Sequence, residues 1–267
     1  MNLRDLALCV CLVGLGALWW QSEQRAKRVD SQLALLVERS AQPVRQQSVG
    51  KDELNALVYA ALEQRQRQEH TRERDRLFDG FKAARAQLDG GHRVYGDPGA
   101  TVSLYEFSDF ECPYCKQFHG IPKEIVDSSA GQVNWVFKHF PLDIHNPTAA
   151  NEAVAAECVG EVAGNRAFWV FADLLFKATG GNGSGAPDGV SPIIARMGVD
   201  QAEFDACVRR EDAYDVVRSQ FSAGQRAGVS QTPTTIVVNN KTGATVVVPG
   251  ADGQRVLTAI ANVIGAE

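Results

Sequence analysis

Three absences narrow the reading of this 267-residue chain before any motif is considered. It has no excess of positive charge, its formal net charge being -5, and so no basic face on which nucleic acid could be a main partner. Its six cysteines include a single CxxC, so a four-cysteine zinc site has no second half. No stretch from Glu63 to Arg76 holds an apolar residue, which interrupts any long helical seam there. What remains is ordinary for a globular protein, with 45% hydrophobic residues, 22% charged residues, four Trp and twelve Phe, enough for a core of normal size.

The first apolar run, Leu6 to Trp20, is 15 residues without a charge. As a helix it spans about 22 Å, short for a hydrocarbon layer of roughly 30 Å, but Trp19 and Trp20 suit the membrane interface and extend it. The run closes on Trp-Trp-Gln-Ser-Glu rather than on a small-x-small cleavage site, so residues 1–20 are expected to be an uncleaved signal-anchor rather than a cleaved signal or a core helix. Arg25, Lys27 and Arg28 follow it, and the positive-inside rule by itself would not send the C-terminus outward. Cys9 and Cys11 then read as apolar membrane residues.

Residues 21–89 are rich in Gln, Arg and Glu, with short apolar periodicities at Val29, Leu33, Leu36, at Leu54, Leu57, Val58, Leu62, and at Leu77, Phe81, Ala84, Leu88. Steps of three and four predict amphipathic helix or coiled coil, interrupted at Pro43 and Gly50. The stretch is a solvated helical spacer or a stalk that assembles a homo-oligomer.

Thr101 to Phe107 alternates as a strand and leads through Ser-Asp-Phe-Glu into Cys112-Pro113-Tyr114-Cys115. The motif is therefore expected where a strand hands over to a helix. Unpaired N–H groups and the positive end of the helix dipole stabilise a thiolate at such a place, and Pro113 fits the first turn. Cys112 is expected to be the exposed attacking thiol and Cys115, one turn deeper, the resolving one.

From about Val94 to the C-terminus the chain resembles the DsbA-like branch of the thioredoxin superfamily. The matching segments are Phe107-Ser-Asp-Phe-Glu-Cys-Pro-Tyr-Cys115, Phe137-Lys-His-Phe-Pro-Leu142 with His145, Ala167-Phe-Trp169 with Asp173 to Phe176, Gly228-Val-Ser-Gln-Thr-Pro-Thr234, and Gly250. The resemblance implies an α/β fold, a thioredoxin domain over 90–267 with a helical insertion at about 147–226, preceded by the stalk and the N-terminal anchor. It implies that Thr232-Pro233 is cis beside the CxxC, with the backbone of Thr232 free to pair with substrate and Pro113 and Tyr114 flanking it. It also implies a buried Glu106 that accepts the Cys115 proton; Lys138 is a candidate charge partner that the sequence alone does not settle, and an exposed strand carboxylate is the alternative reading of Glu106.

His119, His139 and His145 match no metal-ligand spacing, so structural or surface roles are expected. Cys158 and Cys207 fall in helices expected at Ala153 to Val162 and Gln201 to Val208. In an oxidising compartment such a pair is expected to form a structural bridge, in a reducing one to stay as buried thiols, and a second redox pair is the remaining alternative.

The implied activity is thiol–disulfide exchange with exported cysteine-containing proteins, through a mixed disulfide at Cys112, without metal, flavin or nucleotide. A membrane redox partner would reset the CxxC, and the domain would face the periplasm from the bacterial inner membrane. The alternatives are an oligomeric isomerase or reductase and a non-catalytic envelope assembly module. The dipeptide lacks the histidine of strongly oxidising relatives, so a less oxidising couple is expected.

Overall fold

In a computed structural model, residues 20, 23–35, 37–38, 51–84 and 93–265 are described. The run Leu6–Trp20 lies outside them except for an exposed Trp20, as do Cys9, Cys11, Pro43, Gly50 and Leu88. Among the described residues no helix is long and apolar enough to cross a membrane. The chain divides into two compact units, 1–61 and 62–267.

In the first unit, residues 23–35 are helical, and a 29-residue helix α1 (Lys51–Asp79) begins and runs on into the second unit. Helix continues through Glu63–Arg76 although no apolar residue stands there. Pairs one turn apart support it, Arg65 Nε donating to Glu69 at 2.9 Å and Arg67 lying 3.5 Å from Glu63. Leu54, Leu57, Val58 and Leu62 stay exposed, each more than 48% accessible.

The second unit is built on one five-stranded sheet in the order β1-β3-β2-β4-β5. Its strands are β1 (Arg93–Tyr95), β2 (Val102–Ser108), β3 (Val133–His139), β4 (Thr234–Asn239) and β5 (Thr245–Pro249). β2 and β3 are parallel and every other pair is antiparallel. A parallel pair needs a crossover, which is supplied by α2 (Pro113–Phe118) and α3 (Gly120–Ser128). Between β3 and β4 come five helices: α4 (Thr148–Ala163), α5 (Asn165–Ala178), α6 (Ser191–Met197), α7 (Gln201–Val208) and α8 (Asp212–Arg226). After β5, α9 (Gly253–Ile264) is capped by Asp252, whose side chain accepts from Arg255 N at 3.0 Å.

Period-2 alternation assigns the two sheet faces. Leu104, Trp135, Phe137 and Val237 join the main core with Phe168, Trp169, Phe118 and Val256. Phe107 faces the other way, packing with Phe140 and Val229. The main core also takes in Phe81 and Ala84. Cys158 on α4 and Cys207 on α7 are joined by a disulfide. Beneath α4 lies a buried ion network. Arg93 Nη2 donates to Glu157 Oε2 at 2.7 Å and His139 Nε2 lies 3.0 Å from Glu157 Oε1. Burial pushes Glu157 up, but His139 and Arg93 outweigh it and hold the carboxyl below its usual value.

Candidate active site

β2 ends at Ser108, the turn Asp109–Glu111 follows, and Cys112 is the N-cap of α2 with Pro113 in the first turn. Cys112 makes no side-chain cap bond, so its sulfur is free for chemistry at the positive end of the helix. It is less open than expected, at 4% accessible, because the 230–232 loop leans on it; the exposed residue of the motif is Tyr114, at 63%. Cys115 is fully buried one turn on, and the two cysteines are free thiols.

The peptide bond Thr232–Pro233 is cis, and the Cys112 thiol donates to the Thr232 carbonyl at 3.4 Å across 120 residues of sequence. Gly250 N donates to the Pro233 carbonyl at 2.8 Å, tying this loop to the end of β5. The Cys112 thiol is lowered to about 6. The Cys115 thiol hydrogen-bonding to it is the main cause, set against burial and helped by Thr232 and by the backbone N–H groups of Cys115 and Tyr114. Burial pushes the Cys115 thiol well up, and the charge of Cys112 and then of Glu106 pushes it further.

Glu106 sits in the middle of β2, fully buried, paired in register with Phe137 and Thr235. Burial raises it to about 7, against smaller opposing effects of Ser108 and Trp135. Both of its oxygens, Ser108 Oγ and Trp135 Nε1 are buried without a closed hydrogen bond. Lys138 is not its partner. The register sets Lys138 opposite Phe107, on the other face of the sheet, where its ammonium lies 6.0 Å from the Tyr105 ring centre.

Several residues of the site were not singled out from sequence. The side chain of Asp109 accepts from Glu111 N at 2.8 Å and Leu142 N at 2.9 Å, and lies 2.7 Å from His145 Nδ1. Glu111, fully buried, accepts from Thr179 Oγ1 and from Gly185 N at 2.9 Å, while its carbonyl accepts from Asn182 N at 2.7 Å. Two carboxylates in Ser-Asp-Phe-Glu, directly ahead of a catalytic-type motif, were the available signal. Between these loops opens a cleft of about 530 Å³ whose lining includes Cys112, Tyr114, Ile144, His145, Asn182 and Thr232. Among the described residues no Asp, Glu, Lys or Arg side chain lines it, and Ile144 stands 82% exposed at its edge. His119 is buried against Trp135 and Phe176, and burial lowers it to about 4.

A family model described as thioredoxin matches residues 88–246. DsbA2 of Pseudomonas aeruginosa is similar in structure, with 34% identity, a TM-score of 0.58, and coverage of 63% of this chain and 92% of that one. The α-DsbA1 of Wolbachia pipientis shares the fold at 20% identity and a TM-score of 0.55, over 67% of this chain and 94% of that one. A Na(+)/H(+) antiporter NhaA 1 of Salinispora arenicola is 37% identical over 87 residues, 33% of this chain. The match spans only 13% of the antiporter's length.

Proposed function

This chain belongs to the DsbA-like branch of the thioredoxin family, and on that premise we propose that it exchanges thiols and disulfides with exported proteins through Cys112 and Cys115. The observation that carries the reading is the Cys112 sulfur at the start of α2, 3.4 Å from the carbonyl that precedes Pro233, in a cleft open to a substrate segment. In the oxidising direction a substrate thiolate attacks Cys112 of the Cys112–Cys115 disulfide, and Cys115 leaves as a thiolate that takes up a proton. A second substrate thiolate then attacks the substrate sulfur of the mixed disulfide, and Cys112 leaves as a thiolate. The substrate loses two electrons to become a disulfide, and the protein gains them as a dithiol. Run backwards, Cys112 attacks a substrate disulfide and Cys115 resolves the mixed species.

Glu106, at about 7, is a proton donor to and acceptor from Cys115. The backbone of Thr232 holds the substrate segment, and Pro113 and Tyr114 border it. We place the domain in the bacterial cell envelope, anchored to the inner membrane through residues 1–20, with a membrane protein resetting the redox state. One observation favours the isomerase or reductase reading: the exposed stripe Leu54, Leu57, Val58 and Leu62 is a ready seam for a homo-oligomer.

Cys115→Ala is the direct test, because it leaves Cys112 with no resolving thiol. Mixed with a substrate that carries a disulfide, this variant should accumulate a mixed disulfide, the substrate's other sulfur leaving as a thiolate; reductant should release the adduct and Cys112→Ala abolish it. Absence of that adduct, with Cys112→Ala fully active in the host process, would remove the redox reading.

A further inference from the structure

The turn that carries Cys112 holds two walls of the cleft by two different carboxylates. Asp109 takes the 142–145 loop through Leu142 N and His145. Glu111 takes the glycine-rich loop after α5, its carboxylate accepting from Thr179 Oγ1 and Gly185 N on either side of the tip and its main-chain carbonyl from Asn182 N at the tip itself. The same loop is held from outside by Lys116 Nζ donating to the Thr179 carbonyl at 2.8 Å and Thr148 Oγ1 donating to the Gly183 carbonyl at 2.8 Å.

At the tip sits Asn182, at φ 56°. With Ala130 it is one of two non-glycine residues at positive φ among the described residues. Its neighbours Gly181 and Gly183 also have positive φ, so the tip is a run of left-handed backbone that glycine would fill most easily. Asparagine tolerates this conformation but gains nothing from it locally. Its backbone N–H is used on Glu111, yet its side chain is exposed, lines the cleft with Cys112 and Thr232, and makes no hydrogen bond among the described residues. A side-chain amide carries one acceptor and donors in the arrangement that matches a peptide group.

We propose that Asn182 is a specificity-determining residue of the exchange reaction, reading a backbone amide of the extended substrate segment beside its cysteine, and that Glu111 is the positioning residue that holds it there. This rests on the exchange function proposed above. It adds a second contact to the substrate, from the wall carried by Glu111, besides the Thr232 carbonyl. The ligand class is a peptide in extended form; a small thiol such as dithiothreitol has no amide to read.

The experiment compares oxidation of a reduced two-cysteine peptide with oxidation of dithiothreitol, using the full chain. Cys112–Cys115 is first converted to the disulfide and then regenerated by oxidised glutathione, which takes up the two electrons. Asn182→Gly is the informative change, because glycine keeps the positive φ while removing the amide. The ratio of peptide to dithiothreitol rate constants should fall roughly 5- to 10-fold, the size of one or two hydrogen bonds, chiefly through KM. Methylating the peptide nitrogen next to the cysteine should cost the parent protein a similar factor and cost Asn182→Gly little. Glu111→Gln should raise KM for peptide while leaving the Cys112 thiolate midpoint in place. An unchanged ratio in Asn182→Gly, or equal methylation penalties in both proteins, overturns the assignment. A parent protein inactive on both substrates would instead refute the exchange function itself.

Discussion

The strongest quantitative handle is the ionisation of Cys112. A midpoint of about 6, against 9.0 for an unperturbed thiol, corresponds to roughly 4 kcal/mol in favour of the thiolate at about 1.4 kcal/mol per pH unit. At pH 7 roughly nine-tenths of the reduced protein would then carry a thiolate, where a free cysteine carries a few per cent. The leading cause is the Cys115 thiol, so Cys115→Ala is the perturbation that bears on the argument. A hydrogen bond to a charged acceptor is worth about 1.5 to 3 kcal/mol, so its loss should raise the midpoint to between about 7 and 8. Thiolate absorbance near 240 nm, or the pH dependence of alkylation by iodoacetamide, reads both proteins directly. The first proton lost belongs to the Cys112–Cys115 pair, so the parent midpoint describes the pair and the variant describes Cys112 alone. The same stabilisation of the reduced form sets the potential. Thioredoxin, at a pKa near 7, lies at about -270 mV and DsbA, near 3.5, at about -120 mV, so a lowered Cys112 thiol moves the couple in the oxidising direction from thioredoxin. A parent midpoint above about 8, or one that Cys115→Ala leaves in place, refutes the reasoning.

Other outcomes follow from the same physics. The Cys158–Cys207 bridge closes a loop of 49 residues, for which chain entropy gives about 4 kcal/mol; the double change to Ala should lower the denaturation midpoint accordingly in chemical unfolding. Glu157→Ala leaves Arg93 buried without its carboxylate, and should cost about 3 to 5 kcal/mol in the same assay. Gly160→Ala would set a methyl 2.4 Å from Arg93 Cζ, costing about 1 to 3 kcal/mol through overpacking. Glu106 and Glu152 are raised to about 7 and about 8, both chiefly by burial. Their contribution is complete below the ordinary glutamate value and is lost as pH rises through 7 to 8. Cys112 has the opposite sign, its contribution present above the ordinary thiol value and lost as pH falls through about 6. The oxidised protein, lacking the thiol, should therefore lose stability from pH 5 to 9, while the reduced protein should lose less; parallel curves would refute this.

The parts of the site that follow one another along the chain were legible, and the parts that meet only in space were not. The strand, the turn and the proline at the first turn of α2 announce themselves locally through period-2 alternation and fixed φ. The meeting of Cys112 with Thr232 came only through family resemblance, since no local pattern joins positions 120 apart. The proposed Glu106–Lys138 pair failed on a point that needs the strand register: Glu106 faces Phe137, so the next residue must point away. Glu111 gave no hint of its partners because Thr179 and Gly185 lie 68 and 74 residues on. The helix through Glu63–Arg76 shows that charge pairing sustains a helix where apolar periodicity is silent.

The double suspension of the cleft, one loop hung from Asp109 and another from Glu111, has a consequence for anyone redesigning the protein. Each loop meets the turn through few polar anchors, and neither contributes a sulfur. Loops of other length and sequence could be grafted between the same anchor points, which under the proposed exchange function would change substrate preference without touching either cysteine. The glycine-rich segment is the natural first graft, since its course is dictated by backbone hydrogen bonds more than by side-chain packing.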